Sequence, residues 1–393
     1  MKPSLFIAGA MALCLAGGAV AGGTDPLEAM RQSGNLPAER DHVWALFAGL
    51  TRPVAGQPVF QTWHGEDELF GSAPVAAKGI QGFSRSFATA QGDVPVIAYT
   101  LYNDAAYQHI VRYGLNRKAA LKQLQKTGAR DGEAAADRKV PDFPAAAMVL
   151  KTAWWPVAAN GLTALPVWDP EHNPASPMGN PYTNWQRVVA VDPQRDGAPV
   201  RMDFVGRSFP DSRHVGLGQF YSITLDAGLA QRMMKDDETR KAAIIALGRP
   251  LQSGDHLALV SANLASREIA DWIWAAFWWH DRADGAFAAG HPALAAPWGN
   301  YLMQTAFDAQ KPAAPDGGAH VSFNPWLEGR FPDGGHGGGG TSNCMACHQR
   351  ASYPAKAFLP VTRGASDYSH DPAFAPGQLR TSSLWSLALH AKP

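Results

Sequence analysis

GDVPVIAYTLYNDAAYQHIVRYGLNRKAALKQLQKTG, residues 92–128, indicates most clearly how this chain folds. Its residues 94–101 form a short apolar run, which predicts a strand. Asn103 can cap a helix that follows directly, and Asn116 can cap a second helix that stops before Gly128. A strand followed by two helices predicts a structure that mixes α and β elements.

The rest of the chain repeats this mixture. Apolar runs separated by proline-rich connections predict further strands at residues 146–157, 184–191, 220–225 and 255–264. Residues 238–248 predict a helix that ends at a glycine. We therefore expect an α+β fold, with a mixed body of short strands and helices and a loop-rich C-terminal segment.

A tryptophan-rich stretch, SREIADWIWAAFWWHD at residues 266–281, is predicted to be another helix. The prediction depends on an apolar stripe at helical spacing, made of Ile269, Trp272, Ile273, Ala276 and Phe277. Its tryptophans can form part of an ordinary aromatic core or wall a cofactor pocket, and both roles stay open.

Composition restricts the class of protein. Hydrophobic residues make up 46% of the 393 residues and charged residues 17%, which is typical of an ordered globular protein. There are 34 basic and 34 acidic residues and no Lys/Arg cluster. Nucleic-acid binding is therefore not expected, because it requires a basic surface.

The N-terminus has the pattern of a secretory signal peptide, which we place at residues 1–21. Lys2 supplies the positive charge, residues 5–15 form the apolar core, and Ala19-Val20-Ala21 resembles a cleavage site. No later stretch has the roughly 18 consecutive apolar residues of a membrane span. We expect an exported protein, periplasmic or secreted, without a transmembrane segment.

Beyond this leader the chain contains two cysteines, Cys344 and Cys347, with His348 directly after the second. This C-x-x-C-H pattern is the attachment signature of c-type haem. Two thiols about one helical turn apart can each add to a haem vinyl group, and the adjacent histidine is then held beneath the iron. The motif therefore predicts one covalent haem c attached through Cys344 and Cys347, with His348 as the proximal iron ligand.

Three other uses of the two cysteines agree less well with the sequence. A thioredoxin-like C-x-x-C normally follows a strand, whereas here a glycine tract precedes it. A zinc site requires four ligands, and there is no second cysteine pair. A disulfide between residues three apart would constrain little of the chain.

Four stretches of the chain resemble a group of secreted bacterial mono-haem proteins that are usually called cytochrome c family proteins. They are residues 266–281, FNPWLEG at 323–329, SNCMACHQRA at 342–351 and LRTSSLWSLAL at 379–389. The resemblance implies haem binding and electron transfer, and it implies no defined reaction.

The expected organisation follows from these features. Residues 1–21 are the signal peptide, residues 22–335 the α+β body, and residues 336–393 the haem-attachment segment. Because no long polar linker separates the last two, we expect the segment to pack on the body.

The sixth ligand of the iron is not determined by the sequence. Small soluble cytochromes c use a methionine downstream of the motif, but no methionine follows Met345. The ligand must come from elsewhere in the chain, or the position holds water or stays vacant. The side chains considered are Met178, Met303, His280, His370 and His390.

Other polar residues are expected to be structural. The carboxylates of HGEDELF, residues 64–70, are expected to face water. Lys151 is expected at a sheet edge or with its amine extended to solvent, and His336 in a flexible glycine-rich loop.

Electron transfer is the favoured function, with a redox partner protein or a small-molecule electron donor or acceptor as partner. An alternative is a haem-dependent oxidoreductase or peroxidase with an open iron site, since the body is larger than a simple electron carrier needs. A sensor in which the body binds a ligand and the haem reports redox state is a third possibility.

Overall fold

The structure is a computed structural model, and it describes most of the chain in separate ranges. These are residues 25–71, 78–83, 95–127, 138–169, 182–287, 294–312, 320–328, 343–355 and 378–393. The expected signal peptide at residues 1–21 lies outside them, as do Met178, His336 and His370.

The α-helices are short, and most of them lie between strands. They are α1 (Pro26–Ser33), α2 (Leu36–Thr51), α3 (Glu66–Phe70), α4 (Asp104–Arg112), α5 (Lys118–Thr127), α6 (Ala227–Met233), α7 (Asp237–Leu247), α8 (Pro325–Glu328), α9 (Cys344–His348) and α10 (Trp385–His390).

The strands vary from two residues to eleven. They are β1 (Pro53–Val54), β2 (Gln57–Pro58), β3 (His64–Gly65), β4 (Ile97–Tyr102), β5 (Met148–Val157), β6 (Thr163–Val167), β7 (Arg187–Asp192), β8 (Gly197–Phe204), β9 (Arg207–Gly216), β10 (Ser222–Thr224), β11 (His256–Ser266), β12 (Ile273–Trp279), β13 (Tyr301–Ala306), β14 (Ser352–Tyr353) and β15 (Leu379–Arg380). Together these helices and strands confirm the expected α+β fold.

A large antiparallel sheet is the centre of the molecule. Its strands follow the order β13-β12-β11-β5-β4-β3, and β10 pairs with one end of β11. A smaller sheet, in the order β6-β7-β9-β8, includes one parallel pair, β7 with β9. The long strands β5 and β11 are interior in the large sheet, and most of their residues on both faces are buried.

Two neighbouring rows of residues cross this sheet and point to opposite faces, because side chains alternate along a strand. The first row, here called the aromatic row, is Met303, Phe277, Ala262, Thr152 and Tyr99. The second, here called the polar row, is Gln304, Ala276, Asn263, Lys151 and Thr100.

Helix α2 covers the face that carries the aromatic row. The ring of Phe47 stacks on that of Phe277 with 4.1 Å between ring centroids and 17° between planes. Trp44 packs against Phe277 as well, at 5.5 Å. This face is therefore the main hydrophobic core of the sheet.

The strand-helix-helix prediction for residues 92–128 is confirmed in its main features. Asn103 caps α4, since its side-chain oxygen accepts from the backbone N–H of Ala106 at 3.0 Å. The second helix begins at Lys118, one residue later than expected, and Asn116 instead donates to the carbonyl of Leu69.

The prediction of a helix at residues 266–281 is wrong. Residues 273–279 form strand β12, and all seven are buried. The strand has β11 and β13 as neighbours and both faces covered, so its sequence is apolar throughout. A continuous apolar run fits a helical stripe by chance, and β-branched and aromatic residues favour the strand.

The described residues of the C-terminal segment pack on the sheet face that carries the polar row. Cys344, Met345 and Leu387 belong to a buried cluster that also contains Trp272 and Trp274. Strands β14 and β15 pair with each other beside this cluster. The boundary that we placed between body and segment stays a prediction.

Candidate functional site

The C-M-A-C-H motif forms the short helix α9, and Asn343, the residue directly before it, is held from several sides. The side chain of Asn343 caps the helix, accepting from the N–H of Met345 at 2.9 Å. The same side chain donates to the carbonyls of Asp308 and His320. The motif is therefore fixed to the body at its N-terminal end.

The two cysteines are free thiols one helical turn apart. Burial raises the pKa of Cys344 well above its usual value and that of Cys347 to about 12. Both are therefore neutral at physiological pH. A thioredoxin-like site requires the opposite, because the thiolate is the nucleophile and its pKa is lowered.

His348 has one ring nitrogen held and the other available. Its Nδ1 lies 2.8 Å from the carbonyl oxygen of Ser383, so Nδ1 carries the proton and donates it. In the part of the chain that the structure describes, Nε2 makes no hydrogen bond. Iron-ligating histidines commonly show this arrangement, because a carbonyl on one nitrogen fixes the ring and leaves the other for the metal.

The surroundings of His348 keep its imidazole neutral. Burial lowers its pKa to about 4, with a smaller contribution of the same sign from the nearby Lys151 amine. The ring of Trp274 packs against the imidazole with 3.9 Å between centroids. Only a neutral imidazole can coordinate a metal, so burial prepares this ring for that role.

His348 lines a cavity between the sheet and the C-terminal segment. One wall is the sheet face that carries Thr100, Val149, Lys151, Asn263, Ala265 and Trp274. The other wall is His348 with Leu384, Trp385, Ser386, Leu389 and His390, and Glu66 completes the lining. Three members of the polar row, on adjacent strands, thus face the motif across this space.

The charged side chains of the cavity differ from our expectations. Lys151 is on β5, which lies between β11 and β4, so the expected sheet edge is wrong. The expectation that the HGEDELF carboxylates face water is wrong for Glu66 and Asp67, which are only 1% and 2% exposed. Pairing of β3 with β4 brings this stretch against the sheet rather than leaving it in a loop.

A further carboxylate lies beside the first cysteine. Glu328 accepts from Asn263 Nδ2 and from the N–H of Asn324, both at 2.8 Å. The Sγ of Cys344 lies 3.9 Å from both of its carboxylate oxygens. Burial raises the pKa of Glu328 to about 7.

These residues have the chemistry that a c-type haem would need. Cys344 and Cys347 are unpaired, reduced and on one helix with His348. The available Nε2 of His348 is the atom that would bind the iron. Trp274, Val149 and Leu384 provide the apolar surroundings that a porphyrin requires.

The cavity is smaller than the pockets that usually hold cofactors. It measures about 110 Å³, less than the roughly 300–1,000 Å³ of small-molecule and cofactor pockets. A porphyrin therefore requires side chains at the cavity edge to move outward. Leu389, which is 43% exposed, is at such an edge.

The side chains considered for the sixth iron position are spread over the molecule. Met303 is in the aromatic row and so points to the sheet face opposite His348. His280 contacts Arg282 and Arg187 outside the cavity, accepting from the Arg282 N–H at 3.0 Å. His390 lines the same cavity as His348. Met178 and His370 lie outside the described residues.

Of the two expected roles of the tryptophans, that of an ordinary aromatic core is confirmed, and that of a wall for a cofactor pocket stays a prediction. Trp274 packs on His348, whereas Trp279 stacks on Phe220 in the main core, at 4.0 Å. Site residues that the sequence did not reveal are Asn263, Ser383 and Glu328. Ser383 belongs to the LRTSSLWSLAL stretch, which carried the family resemblance without a role for any residue in it.

Neither a metal-ion cluster nor a membrane-spanning helix is found in the described residues. Within the described ranges, no group of three or more His, Cys, Asp or Glu residues is arranged to hold a metal ion. No helix in these ranges is long and apolar enough to cross a membrane. A haem iron requires only axial ligands from the protein, so the first observation concerns ions held by side chains alone.

Comparison with known proteins gives no assignment for this site, so its interpretation depends on its geometry. No family model matches the chain, and neither a curated protein nor a solved structure matches it.

Proposed function

We propose that this protein is an exported mono-haem c-type cytochrome that transfers electrons through one covalently bound haem c. Cys344 and Cys347 are the attachment residues, and His348 is the proximal ligand of the iron. The resemblance to secreted bacterial cytochrome c family proteins supports a periplasmic location.

One observation carries the proposal. The residue directly after two reduced thiols on a single helix is an imidazole whose Nδ1 is held by a backbone carbonyl and whose Nε2 is left for a ligand. A structural histidine in a core normally has its polar atoms satisfied. This one is oriented, kept neutral and placed at a cavity.

The protein's own residues would control the redox centre. A bound haem supplies a centre that gains or loses one electron. Ser383 orients the proximal imidazole, and Trp274 packs on its ring. With a haem bound, these buried side chains would keep water away from the iron, which would favour the less charged ferrous state and so raise the reduction potential.

The test is to express the full chain with its leader in a bacterium that attaches haem in the periplasm. Intact mass should correspond to the chain from residue 22 plus one haem, and acid–acetone should fail to extract the colour. A variant with both Cys344→Ala and Cys347→Ala should lose all covalent pigment. Cys14→Ala is the matched control, and its pigment should be unchanged because that cysteine lies in the expected leader.

A colourless wild-type protein, or a pigment that acid–acetone removes completely, would overturn the proposal. Electron transfer is tested on the same material, which should be reduced and reoxidised reversibly with one electron per haem. Irreversible bleaching on reoxidation counts against an electron carrier.

A second function, a haem-dependent oxidoreductase or peroxidase with an open iron site, has one observation in its favour. The cavity contains charged and titratable side chains, namely Lys151, Glu66 and His390, which a pure electron carrier does not need. Such groups can move protons or stabilise charge on a bound substrate. High-spin ferric iron that reacts with peroxide favours this function, and inert low-spin iron excludes it.

A further inference from the structure

Backbone strain in the described residues is concentrated beside the candidate site. Apart from glycines, the residues with positive φ in those ranges are Ala55, Val205, Trp272, Ser382 and Ser383. Ala55 and Val205 are exposed, each in the two-residue turn of a β-hairpin, where such backbone is common. The other three lie together, since Trp272 bonds to Ser382 and Ser383 follows directly. A bulky residue such as tryptophan rarely adopts this conformation.

The two strained serines are the central residues of a tight turn at residues 381–384. Their φ angles are 50° at Ser382 and 63° at Ser383. The N–H of Leu384 donates to the carbonyl of Thr381 at 3.1 Å and closes the turn. Positive φ at both central residues is the pattern of a type I′ turn, in which glycine, asparagine and aspartate predominate. Serine is less suited to it, so the turn depends on its contacts with the rest of the protein.

Contacts on two sides hold this turn. The indole Nε1–H of Trp272, a residue that is 0% exposed, donates to Oγ of Ser382 at 3.2 Å. The N–H of Thr381 donates to the carbonyl of Ala351 at 2.9 Å, and the N–H of Ala351 donates to the carbonyl of His348 at 3.0 Å. The turn is therefore fixed to the start of β12 on one side and to the end of the C-M-A-C-H helix on the other.

The same turn supplies the carbonyl that holds His348. Its oxygen, that of Ser383, lies 2.8 Å from Nδ1 of the imidazole. The direction of this carbonyl depends on the left-handed backbone of the two serines, because a change of φ or ψ rotates the peptide groups of the turn. Trp274, two residues after Trp272, packs on the imidazole at 3.9 Å. Residues 272–274 thus contact both the ring of His348 and the turn that orients it.

We propose that Trp272 and Ser382 are positioning residues, whose hydrogen bond keeps the strained turn in place and so fixes the tautomer and orientation of His348. The inference rests on the proposed function, in which this imidazole is the proximal ligand of the iron. Strain persists only where the surroundings over-determine the backbone. Removing the bond between indole and hydroxyl therefore allows the turn to relax toward negative φ, and the Ser383 carbonyl then turns away from Nδ1.

A fixed Nδ1–H matters for a histidine that binds a metal. With Nδ1 protonated and bonded to a carbonyl, Nε2 has the lone pair that is available to the iron. The carbonyl also raises the basicity of the ligand, which stabilises the ferric state of a bound haem. Loss of the strained turn should therefore allow the second tautomer and raise the reduction potential.

The experiment compares the wild type with Ser382→Ala and Trp272→Phe, which each remove one partner of this hydrogen bond. Nuclear magnetic resonance of the chain from residue 22, produced without haem attachment and labelled with ¹⁵N-histidine, reports the tautomer of His348 at pH 7. His348→Gln assigns its signals. The wild type should show the Nδ1–H tautomer alone, and both variants should show a mixture with the Nε2–H tautomer.

Trp279→Phe is the matched control for the loss of a buried indole. Trp279 is 2% exposed, and its Nε1–H donates to the carbonyl of Gln219 in the main core, away from the site. The tautomer of His348 should be unchanged in this variant. In the haem-loaded protein, Ser382→Ala and Trp272→Phe should keep their covalent haem and have a higher reduction potential than the wild type and Trp279→Phe, as measured by spectroelectrochemical titration.

An Nδ1–H tautomer that stays alone in both variants would overturn the positioning role, as would an Nε2–H tautomer in the wild type. An unchanged potential in both variants would overturn its link to the iron. If Trp272→Phe does not fold, Ser382→Ala still decides, because it removes only one hydroxyl from a half-buried side chain. The tautomer is measured without haem, so a wild-type protein that lacks covalent haem refutes the proposed function and leaves the tautomer result standing.

Discussion

The two faces of the large sheet use the same strands for different purposes. The aromatic row points toward α2, where Phe277 stacks on Phe47. The polar row, one residue further along each strand, points toward the C-M-A-C-H helix and includes Lys151, Asn263 and Thr100. The larger hydrophobic cluster includes the apolar side chains of the aromatic row, and the candidate chemistry lies on the other face beside a second buried cluster.

The difference between the two faces shows how a sheet can carry polar side chains in the protein interior and still keep a hydrophobic core. Because alternate residues of a strand face opposite ways, a lysine can occupy one face while its neighbours pack on the other. Interior strands hold such groups more rigidly than loops do, which suits a site that must be preorganised. The following changes test how independent the two faces are.

The largest effect is expected on the aromatic face. Phe277→Ala removes a buried ring that stacks on Phe47, and it should lower the free energy of unfolding by about 3–5 kcal/mol. Urea denaturation followed by tryptophan fluorescence measures this loss. Ile244→Ala is the control, since that side chain is 46% exposed and should change stability by only about 0.5 kcal/mol. A loss for Phe277→Ala as small as that of the control would contradict this account of the core.

A second change concerns a carboxylate away from the cavity. Glu39 on α2 is 0% exposed, and neither of its carboxylate oxygens has a hydrogen-bond partner in the described structure. Burial raises its pKa from 4.5 to about 7, so the folded state keeps a proton that the unfolded chain releases. The free energy of unfolding should therefore fall as pH rises through this window.

Glu39→Gln should remove that fall. The variant should match the wild type near pH 4 and exceed its stability at pH 8 by roughly 1–3 kcal/mol. Glu328→Gln provides the contrast, because Glu328 accepts two hydrogen bonds and its amide replacement should gain less. Denaturation curves at several pH values measure both, and identical pH profiles for wild type and Glu39→Gln would refute the prediction.

On the polar face, Lys151→Met should change the reduction potential of the proposed haem centre more than it changes the fold. Removing a positive charge from the cavity stabilises the more positive ferric state, so the reduction potential should fall by roughly tens of millivolts. Spectroelectrochemical titration measures the shift. Lys241→Met, on the surface helix α7, is the control and should leave the potential unchanged. A rise in potential would mean that the sign of the electrostatic effect is wrong.

The smallest effect is expected for Met303→Leu. The substitution conserves volume on the aromatic face and should cost less than about 1.5 kcal/mol of stability. Because Met303 points away from His348, the optical spectrum of the haem should not change. A change in the iron's ligand-field bands would place this thioether on the iron and break the separation of the two faces.

Parts of the fold could be predicted from the amino-acid sequence alone. Asn103 caps its helix as its residue type predicts, and the strands at 148–157 and 256–266 follow from their apolar runs. The helix predicted at residues 266–281 was wrong because a strand that is buried on both faces is apolar at every position. Such a run has no alternation of apolar and polar residues, so periodicity cannot distinguish it from a helix. The burial of Glu66 was missed because it depends on the pairing of β3 with β4, which local sequence does not reveal.

The sequence by itself determined that two thiols and an imidazole lie within about one helical turn, because that spacing is a local property of the backbone. Only the tertiary structure decided that a carbonyl 35 residues away holds His348, and that His390 rather than Met303 shares its cavity. Those relations depend on strand register and on packing between distant segments, and neither is encoded in the spacing of neighbouring residues.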